Sequence, residues 1–149
     1  MSEHNATRTL RGHLESMGAF VQRFEDKLSP GIPDTVACLD GVDVWLEGKF
    51  VKELPARQET LVRFGSKDEP RLAHQRNWHR AYQKAGGLSF IWVRVRDRAW
   101  YLFKDPELLV SGITKERLLA SMNYGNARTL AMAISEASFK HGIRVGNVL

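Results

Sequence analysis

The sequence has little cysteine and no long apolar segment, and these two absences exclude several classes of protein. Cys38 is the single cysteine among 149 residues, so no disulfide can form within the chain. The lone cysteine and the spacing of the five histidines also argue against a structural zinc site. No apolar stretch approaches the ~18 residues of a membrane span, and no apolar run typical of a signal peptide opens the chain. We therefore expect a reducing compartment and no membrane association.

The chain carries an excess of positive charge. Lys and Arg number 22 against 17 Asp and Glu, which gives a formal net charge of +5 and a pI near 9.6. Such a surface attracts polyanions without proving that it binds one. Hydrophobic residues make up 43%, enough for a buried core, and the length fits one domain. We predict a single domain over 1–149, with a core at about 8–104 and a helical tail at about 114–142.

Periodicity and turn residues predict a small α/β domain with a mixed sheet. Apolar residues recur at helical steps over 8–28 and 70–85 and alternate at strand spacing over 88–95 and 98–103. A turn at Asp40-Gly41 joins two further strands as a hairpin. The complete prediction is a helix at 8–28, strands at 34–39 and 42–51, a polar loop at 52–69, a helix at 70–85, strands at 88–95 and 98–103, and a helical tail from Thr114 with a break at 123–126.

Two carboxylates and an ammonium group meet in the predicted hairpin. Asp34 begins the first strand, and Glu47 and Lys49 lie two residues apart on its partner, so that they share a face. Mg²⁺ is typically held by one or two carboxylates together with waters and phosphate oxygens, and an adjacent lysine can stabilise charge that develops on a phosphate. The sequence therefore predicts a metal site for phosphodiester hydrolysis at Asp34 and Glu47, with Lys49 beside it and Glu25 as a further candidate ligand.

The motifs Pro33-Asp34 and Glu47-Gly48-Lys49 resemble those of the PD-(D/E)XK nuclease superfamily. The Gly-Ile-Pro-Asp entry and the Gln-bearing helix that ends in glycine are similar to the VRR-NUC and Holliday-junction-resolvase branch. The resemblance covers about 20–104. It implies a restriction-endonuclease-like fold with a central mixed sheet flanked by helices, dependence on Mg²⁺ or Mn²⁺, and hydrolysis of DNA. It also implies catalytic or metal-binding roles for Glu25, on a preceding helix, and for Gln75.

Basic residues near these motifs are candidates for contacts with the DNA backbone. The cations of the second predicted helix share its polar side, and further cations lie in the polar loop. Phosphate contacts position a protein on DNA without reading its sequence. The candidate DNA-binding residues are Arg71, Arg76, His79 and Arg80 in the helix, and Lys52, Arg63 and Lys67 in the loop.

Each of these residues also has an ordinary structural interpretation. Asp34 could cap a turn, Glu47 and Lys49 could form a solvated strand face, and Gln75 could be a surface residue. The leading functional hypothesis is a metal-dependent DNA endonuclease that is selective for branched DNA or Holliday junctions and could form a homodimer. The resemblance further implies a role in recombination, in the cytoplasm of a bacterium or phage-infected host cell. The alternatives are a non-catalytic nucleic-acid-binding or assembly module on the same fold and a protein-interaction factor.

Overall fold

The computed structural model describes residues 2–24, 30–66 and 69–146. No helix within these ranges is long and apolar enough to cross a membrane. The helices and strands are, in chain order, α1 (Glu3–Ser16), β1 (Phe20–Arg23), β2 (Thr35–Leu39), β3 (Val42–Val51), β4 (Leu61–Val62), α2 (Pro70–Lys84), β5 (Leu88–Val95), β6 (Ala99–Phe103), α3 (Leu108–Ser111), β7 (Ile113–Thr114), α4 (Lys115–Ala120), β8 (Asn123–Tyr124) and α5 (Ala127–Arg144).

Six of the described strands form a central mixed sheet in the order β1-β2-β3-β5-β6-β8. Strands β2 and β3 are antiparallel and join through Asp40 and Gly41, which have φ angles of 51° and 81°. Positive φ at both positions is what a tight Asp-Gly hairpin turn requires. Strand β3 pairs with β5 in parallel, because α2 carries the chain back across the sheet. The predicted hairpin and mixed sheet are therefore confirmed.

Each face of the sheet is covered by helices. On one face, α1 and α5 pack over an apolar core that includes Leu46 and Trp92. On the other face, residues such as Ile91 and Val93 pack with the segments around α3 and α4. Because side chains alternate along a strand, Leu46 enters the first core while its neighbour Glu47 points to the opposite face. The alternation along β3 thus separates the apolar core from the polar residues.

The N-terminal helix is shorter than the sequence predicts. Helix α1 ends at Ser16, and the chain then forms β1 beside β2, so the prediction of a helix through 8–28 is wrong for the residues after 16 that the structure describes. Gly18 lies just past the helix with a φ of 93°, a common way for a helix to end. The following apolar residues alternate, with Val21 buried and Phe20 exposed, as in an edge strand.

The later elements agree with the prediction apart from one pairing. Helix α2 and the strands β5 and β6 lie where they were expected, and the C-terminal segment is helical on both sides of a break at β8. Within the polar segment 52–69, which was predicted as a loop, β4 pairs with β7. The apolar residues of the helical tail, which the sequence predicts to be buried, fall into two groups. Leu130 and Ile134 pack against the sheet as predicted, whereas Met122, Met132 and Phe139 are exposed.

Candidate active site

Asp34 lies beside Glu47 because of the register of the hairpin. Thr35 pairs with Leu46 in the antiparallel ladder, so Asp34 and Glu47 stand opposite each other one step further along. Residues directly opposite in such a ladder share a face, with Cβ atoms about 5 Å apart. Their carboxyl groups are close enough to share a hydrogen bond. The hairpin therefore brings together the two carboxylates that the sequence placed in one site.

The Asp34 carboxylate is held by its surroundings. Oδ1 accepts a hydrogen bond from the Thr35 hydroxyl at 2.9 Å, and Oδ2 accepts one from the backbone N–H of Gly48 at 3.2 Å. Gly48 has no room for a side chain, because a Cβ atom there would lie 2.0 Å from the Trp92 ring. Thr35 and Gly48 therefore orient Asp34, and sequence reasoning assigned neither residue this role.

Glu47 carries its carboxyl group in a nearly dry environment. Its side chain is 3% exposed. Burial raises the pKa of Glu47 well above its usual value, the negative charge of Asp34 raises it further, and the positive charge of Lys49 opposes both effects. Charge on both carboxylates at once is therefore unfavourable unless a cation lies close to them.

Lys49 is also buried on the same face of β3. Its side chain is 7% exposed, and its Nζ donates a hydrogen bond to Oε1 of Gln75 on α2 at 3.0 Å. A buried ammonium group requires compensating acceptors or charges, and Gln75 and the nearby Glu47 supply both. The structure thus brings Asp34, Glu47, Lys49 and Gln75 into one cluster between the sheet and α2.

The polar side of α2, and not its aromatic side, faces the middle of the sheet. Leu72, Gln75 and His79 are the buried residues of α2, whereas Trp78 and Tyr82 are half-buried and pack beside Trp45 of β3. Gln75 therefore contacts Lys49, and the buried position of His79 fits neither a solvated helix face nor a contact with phosphate. The four-residue spacing of Gln75 and His79 is visible in the sequence, but only the buried polar groups of the sheet explain why this side of α2 turns inward.

Gly31 fixes how the chain enters the site. It has a φ of 90°, and a Cβ atom at this position would lie 2.3 Å from the backbone oxygen of His74. Glycine is the residue that tolerates both the positive φ and such a close approach. The turn before Asp34 therefore packs directly against the backbone of α2, one residue before Gln75.

His79 belongs to a buried hydrogen-bond network beneath Lys49. Its Nδ1 lies 2.8 Å from the Ser89 hydroxyl, and the Gln83 side-chain amide donates to the same hydroxyl at 3.1 Å. Its Nε2 is buried with no partner among the described residues. His79 is 0% exposed, so the prediction that it contacts DNA is wrong. Ser89, a polar residue within an apolar strand, was the sequence signal for this network.

His79 gives the fold a defined pH dependence. Burial, and then the charge of Lys49, lowers the pKa of His79 from 6.5 to about 4. Between these values the unfolded chain binds a proton that the folded chain does not, so stability falls as the pH drops from 6.5 towards 4. The full loss is about 3 kcal/mol. Urea unfolding at several pH values should show a shallower slope for His79→Gln than for wild type.

His74→Gln is the matched control for this measurement. His74 lies on the same helix and is exposed, so its replacement removes an imidazole from α2 without touching the buried network around Ser89. Equal slopes for the two variants between pH 6.5 and 4 would contradict a neutral, buried His79.

The other predicted DNA-binding residues occupy two surfaces. On α2, Arg71 pairs with Glu69 at 2.7 Å, and Arg76 and Arg80 both pair with Glu107. Glu107 was missed because it is 27 residues from Arg80 in the sequence. The two exposed cations Lys52 and Arg63 instead line an open cleft beyond the end of β3. Glu25 and Lys67 lie outside the described residues.

The residues available to hold a divalent cation are Asp34 and Glu47. Among the described residues, no group of three His, Cys, Asp or Glu side chains is placed to bind a metal. Two carboxylates suffice for Mg²⁺, which usually keeps several waters and shares phosphate oxygens with its substrate. The two negative carboxylates of Asp34 and Glu47, which lie opposite each other, fit such an ion.

Comparison with known proteins gives similarity in fold only. No protein-family model matches the sequence, and no curated protein matches it. The bacterial homing endonuclease I-Ssp6803I aligns with a TM-score of 0.52 at 12% identity, over 95% of this chain and 94% of that one. The Holliday junction resolvase Hjc of Archaeoglobus fulgidus aligns at 0.47 and 17% identity, over 77% and 98% of the two chains. A VRR_NUC domain aligns at 0.44 and 22%, over 73% and 94%.

The alignment with the homing endonuclease shows a shared fold, and the two alignments with lower TM-scores add no argument. The predicted central mixed sheet flanked by helices, of the restriction-endonuclease-like type, is confirmed. The motifs that resemble the PD-(D/E)XK superfamily lie in this fold just before β2, at Asp34, and within β3, at Glu47 to Lys49.

Proposed function

We propose that this chain is a metal-dependent DNA endonuclease that hydrolyses phosphodiester bonds at Asp34, Glu47 and Lys49. One observation carries the proposal: two opposed carboxylates and a buried ammonium group share one face of adjacent strands, and Gln75 holds the ammonium from the covering helix. A solvated strand face would not bury Glu47 and Lys49. The fold shared with a homing endonuclease supports the same conclusion.

Asp34 and Glu47 are the residues that would hold Mg²⁺ or Mn²⁺. The repulsion that raises the pKa of Glu47 is relieved when a cation lies between the two carboxylates. Such an ion, when bound, lowers the pKa of a coordinated water and offsets charge on the phosphate. The hydrogen bonds from Thr35 and Gly48 fix the Asp34 carboxylate in advance, so little rearrangement is needed on binding.

Lys49 supplies the positive charge that hydrolysis requires on the protein side. Its ammonium group sits in a water-poor site, where electrostatic interactions are stronger than in bulk solvent. One of its three protons is directed at Gln75, which leaves two for the attacking water and a phosphate oxygen. We propose that Gln75 acts by orienting the Lys49 ammonium or the water beside it.

We further propose that the substrate is chosen by shape, as a flap or a four-way junction. In this proposal exposed cations outside the site contact the DNA backbone, and backbone contacts carry no base sequence information. Resolving a four-way junction requires two coordinated cuts, so this substrate would be served by a homodimer.

A cleavage assay tests the proposed activity. Wild-type protein is incubated with linear, flapped and four-way-branched DNA in Mg²⁺, Mn²⁺ or EDTA, alongside Asp34→Asn and the control Asp43→Asn, an exposed strand residue. We expect cuts in both metals by wild type and Asp43→Asn, and none in EDTA or by Asp34→Asn. Cleavage that persists in EDTA would contradict the metal site. Binding without cleavage by every protein would instead indicate a non-catalytic module.

A further inference from the structure

A groove rich in cations lies at the edge of the sheet where β3 and β5 end. Two adjoining clefts, of about 450 and 360 Å³, share the wall formed by 52–55. We call them together the distal groove. Its cations are Lys52, Arg63, Arg96, Arg98 and Lys115, and its one acidic lining residue is Glu53.

The backbone brings these cations together from distant parts of the sequence. Val51 pairs with Val95 at the ends of two parallel strands, and the N–H of Arg96 donates to the oxygen of Val51 at 2.9 Å. Lys52 and Arg96 therefore leave the sheet side by side. Lys115 reaches across the groove, where its Nζ donates a hydrogen bond to the backbone oxygen of Ala56 at 3.3 Å. The groove is thus a fixed feature of the fold.

The charges of the distal groove are poorly neutralised. Lys52, Arg63 and Arg98 make no ion pair within the described ranges. The ion pair of Arg96 is long, with 3.8 Å between its Nε and Oδ2 of Asp97. The arginines of α2 differ, because all three pair with Glu69 or Glu107. Cations that cluster without acidic partners repel each other, and a bound polyanion relieves that repulsion. The distal groove is therefore better suited to phosphate groups than the surface of α2.

We propose that the distal groove binds the phosphodiester backbone of DNA on one side of the cut. The inference rests on the proposed nuclease function. The groove begins at Phe50, directly after Lys49, and Lys52 lies about 10 Å beyond Lys49 along the chain, or roughly three base-pair steps along a duplex axis. A backbone that passes Lys49 and continues along β3 reaches Lys52 and Arg96 next. This surface, and not α2, supplies most of the salt-dependent affinity.

Binding measured without cleavage tests the groove. Fluorescence anisotropy of a labelled 30-base-pair duplex in EDTA, across a range of salt concentrations, compares wild type with the triple variant Arg96→Gln, Arg98→Gln, Lys115→Gln. We expect affinity to fall about 10- to 100-fold near 0.1 M salt, and the slope of log affinity against log salt to fall by two to three. Arg98→Gln alone, which removes no side-chain hydrogen bond or ion pair within the described residues, should lower the slope by about one.

A control triple on α5 removes the same charge far from the groove: Arg128→Gln, Lys140→Gln, Arg144→Gln. It should bind within about twofold of wild type. Equal losses in the two triples, or an unchanged salt slope, would overturn the proposal. Cleavage by wild type in Mg²⁺ is scored separately. If wild type cuts DNA but the groove variants bind it normally, only the groove proposal is refuted. If binding depends on the groove but no DNA is cut, only the proposed nuclease activity is refuted.

Discussion

Lys49→Met is expected to lower the rate of DNA cleavage by about 10²- to 10³-fold in a chain that still folds. Methionine has a similar volume and fills the space between β3 and α2, but Oε1 of Gln75 loses its donor and the buried Glu47 loses a nearby positive charge, so urea unfolding should show some loss of stability. The variant lacks the Lys49 cation on the face that carries Asp34 and Glu47. Single-turnover cleavage measures the rate, and urea unfolding measures the stability. The exposed Lys140→Met on α5 serves as the matched control.

Gln75→Ala separates two possible roles for the amide. If Gln75 acts by orienting Lys49, its removal slows wild-type cleavage but has no further effect in the Lys49→Met background. Additive losses would assign it an independent contact with water or phosphate. Wild-type cleavage rates for Lys49→Met would refute the proposed role of the lysine.

The core of the site was predictable because it depends on local rules. A tight Asp-Gly turn fixes the hairpin register, and the register places Asp34 opposite Glu47. The two-residue period of a strand then puts Lys49 on the same face. These three positions follow from spacing alone, which is why a motif of so few residues could indicate the site.

The surroundings of the site were not predictable, because they depend on contacts between distant segments. The sequence left open whether the polar side of α2 faces solvent or DNA, and nothing in the helix itself shows that its buried groups contact Lys49 and Ser89 on the sheet. Likewise, the apolar residues after Ser16 continued a helical pattern. One glycine with positive φ, Gly18, ended the helix and made an edge strand available. In both places a tertiary partner overrode the local pattern.

The distal groove shows the same dependence on long-range placement. Lys52 and Arg63 were recognised as loop cations, whereas Arg96, Arg98 and Lys115 join them only through the parallel pairing of β3 with β5 and the packing of α4. Charge in the sequence indicated a polyanion partner, but the folded chain decides which cations remain unpaired.

Glu47→Gln is expected to abolish the stabilisation of the fold by divalent metal. Without metal, the buried carboxyl of Glu47 faces Asp34, and its raised pKa means that the folded chain holds a proton more tightly than the unfolded chain. Stability is therefore lost as the pH rises through the folded pKa. A neutral amide removes this penalty, so metal-free Glu47→Gln should be as stable as wild type or more stable at pH 8.

Mg²⁺ should then stabilise wild type and leave the variant unchanged. An ion bound to the folded chain adds about 3 kcal/mol at a hundredfold excess over its dissociation constant, and a site that lacks one of its two carboxylates loses most of this gain. Thermal unfolding in EDTA and across a Mg²⁺ titration measures both effects, with the exposed Glu136→Gln as control. If Mg²⁺ raised the melting temperature of Glu47→Gln as much as that of wild type, Glu47 would not be a metal ligand. If metal-free Glu47→Gln were markedly less stable than wild type, the repulsion between the two carboxylates would be refuted.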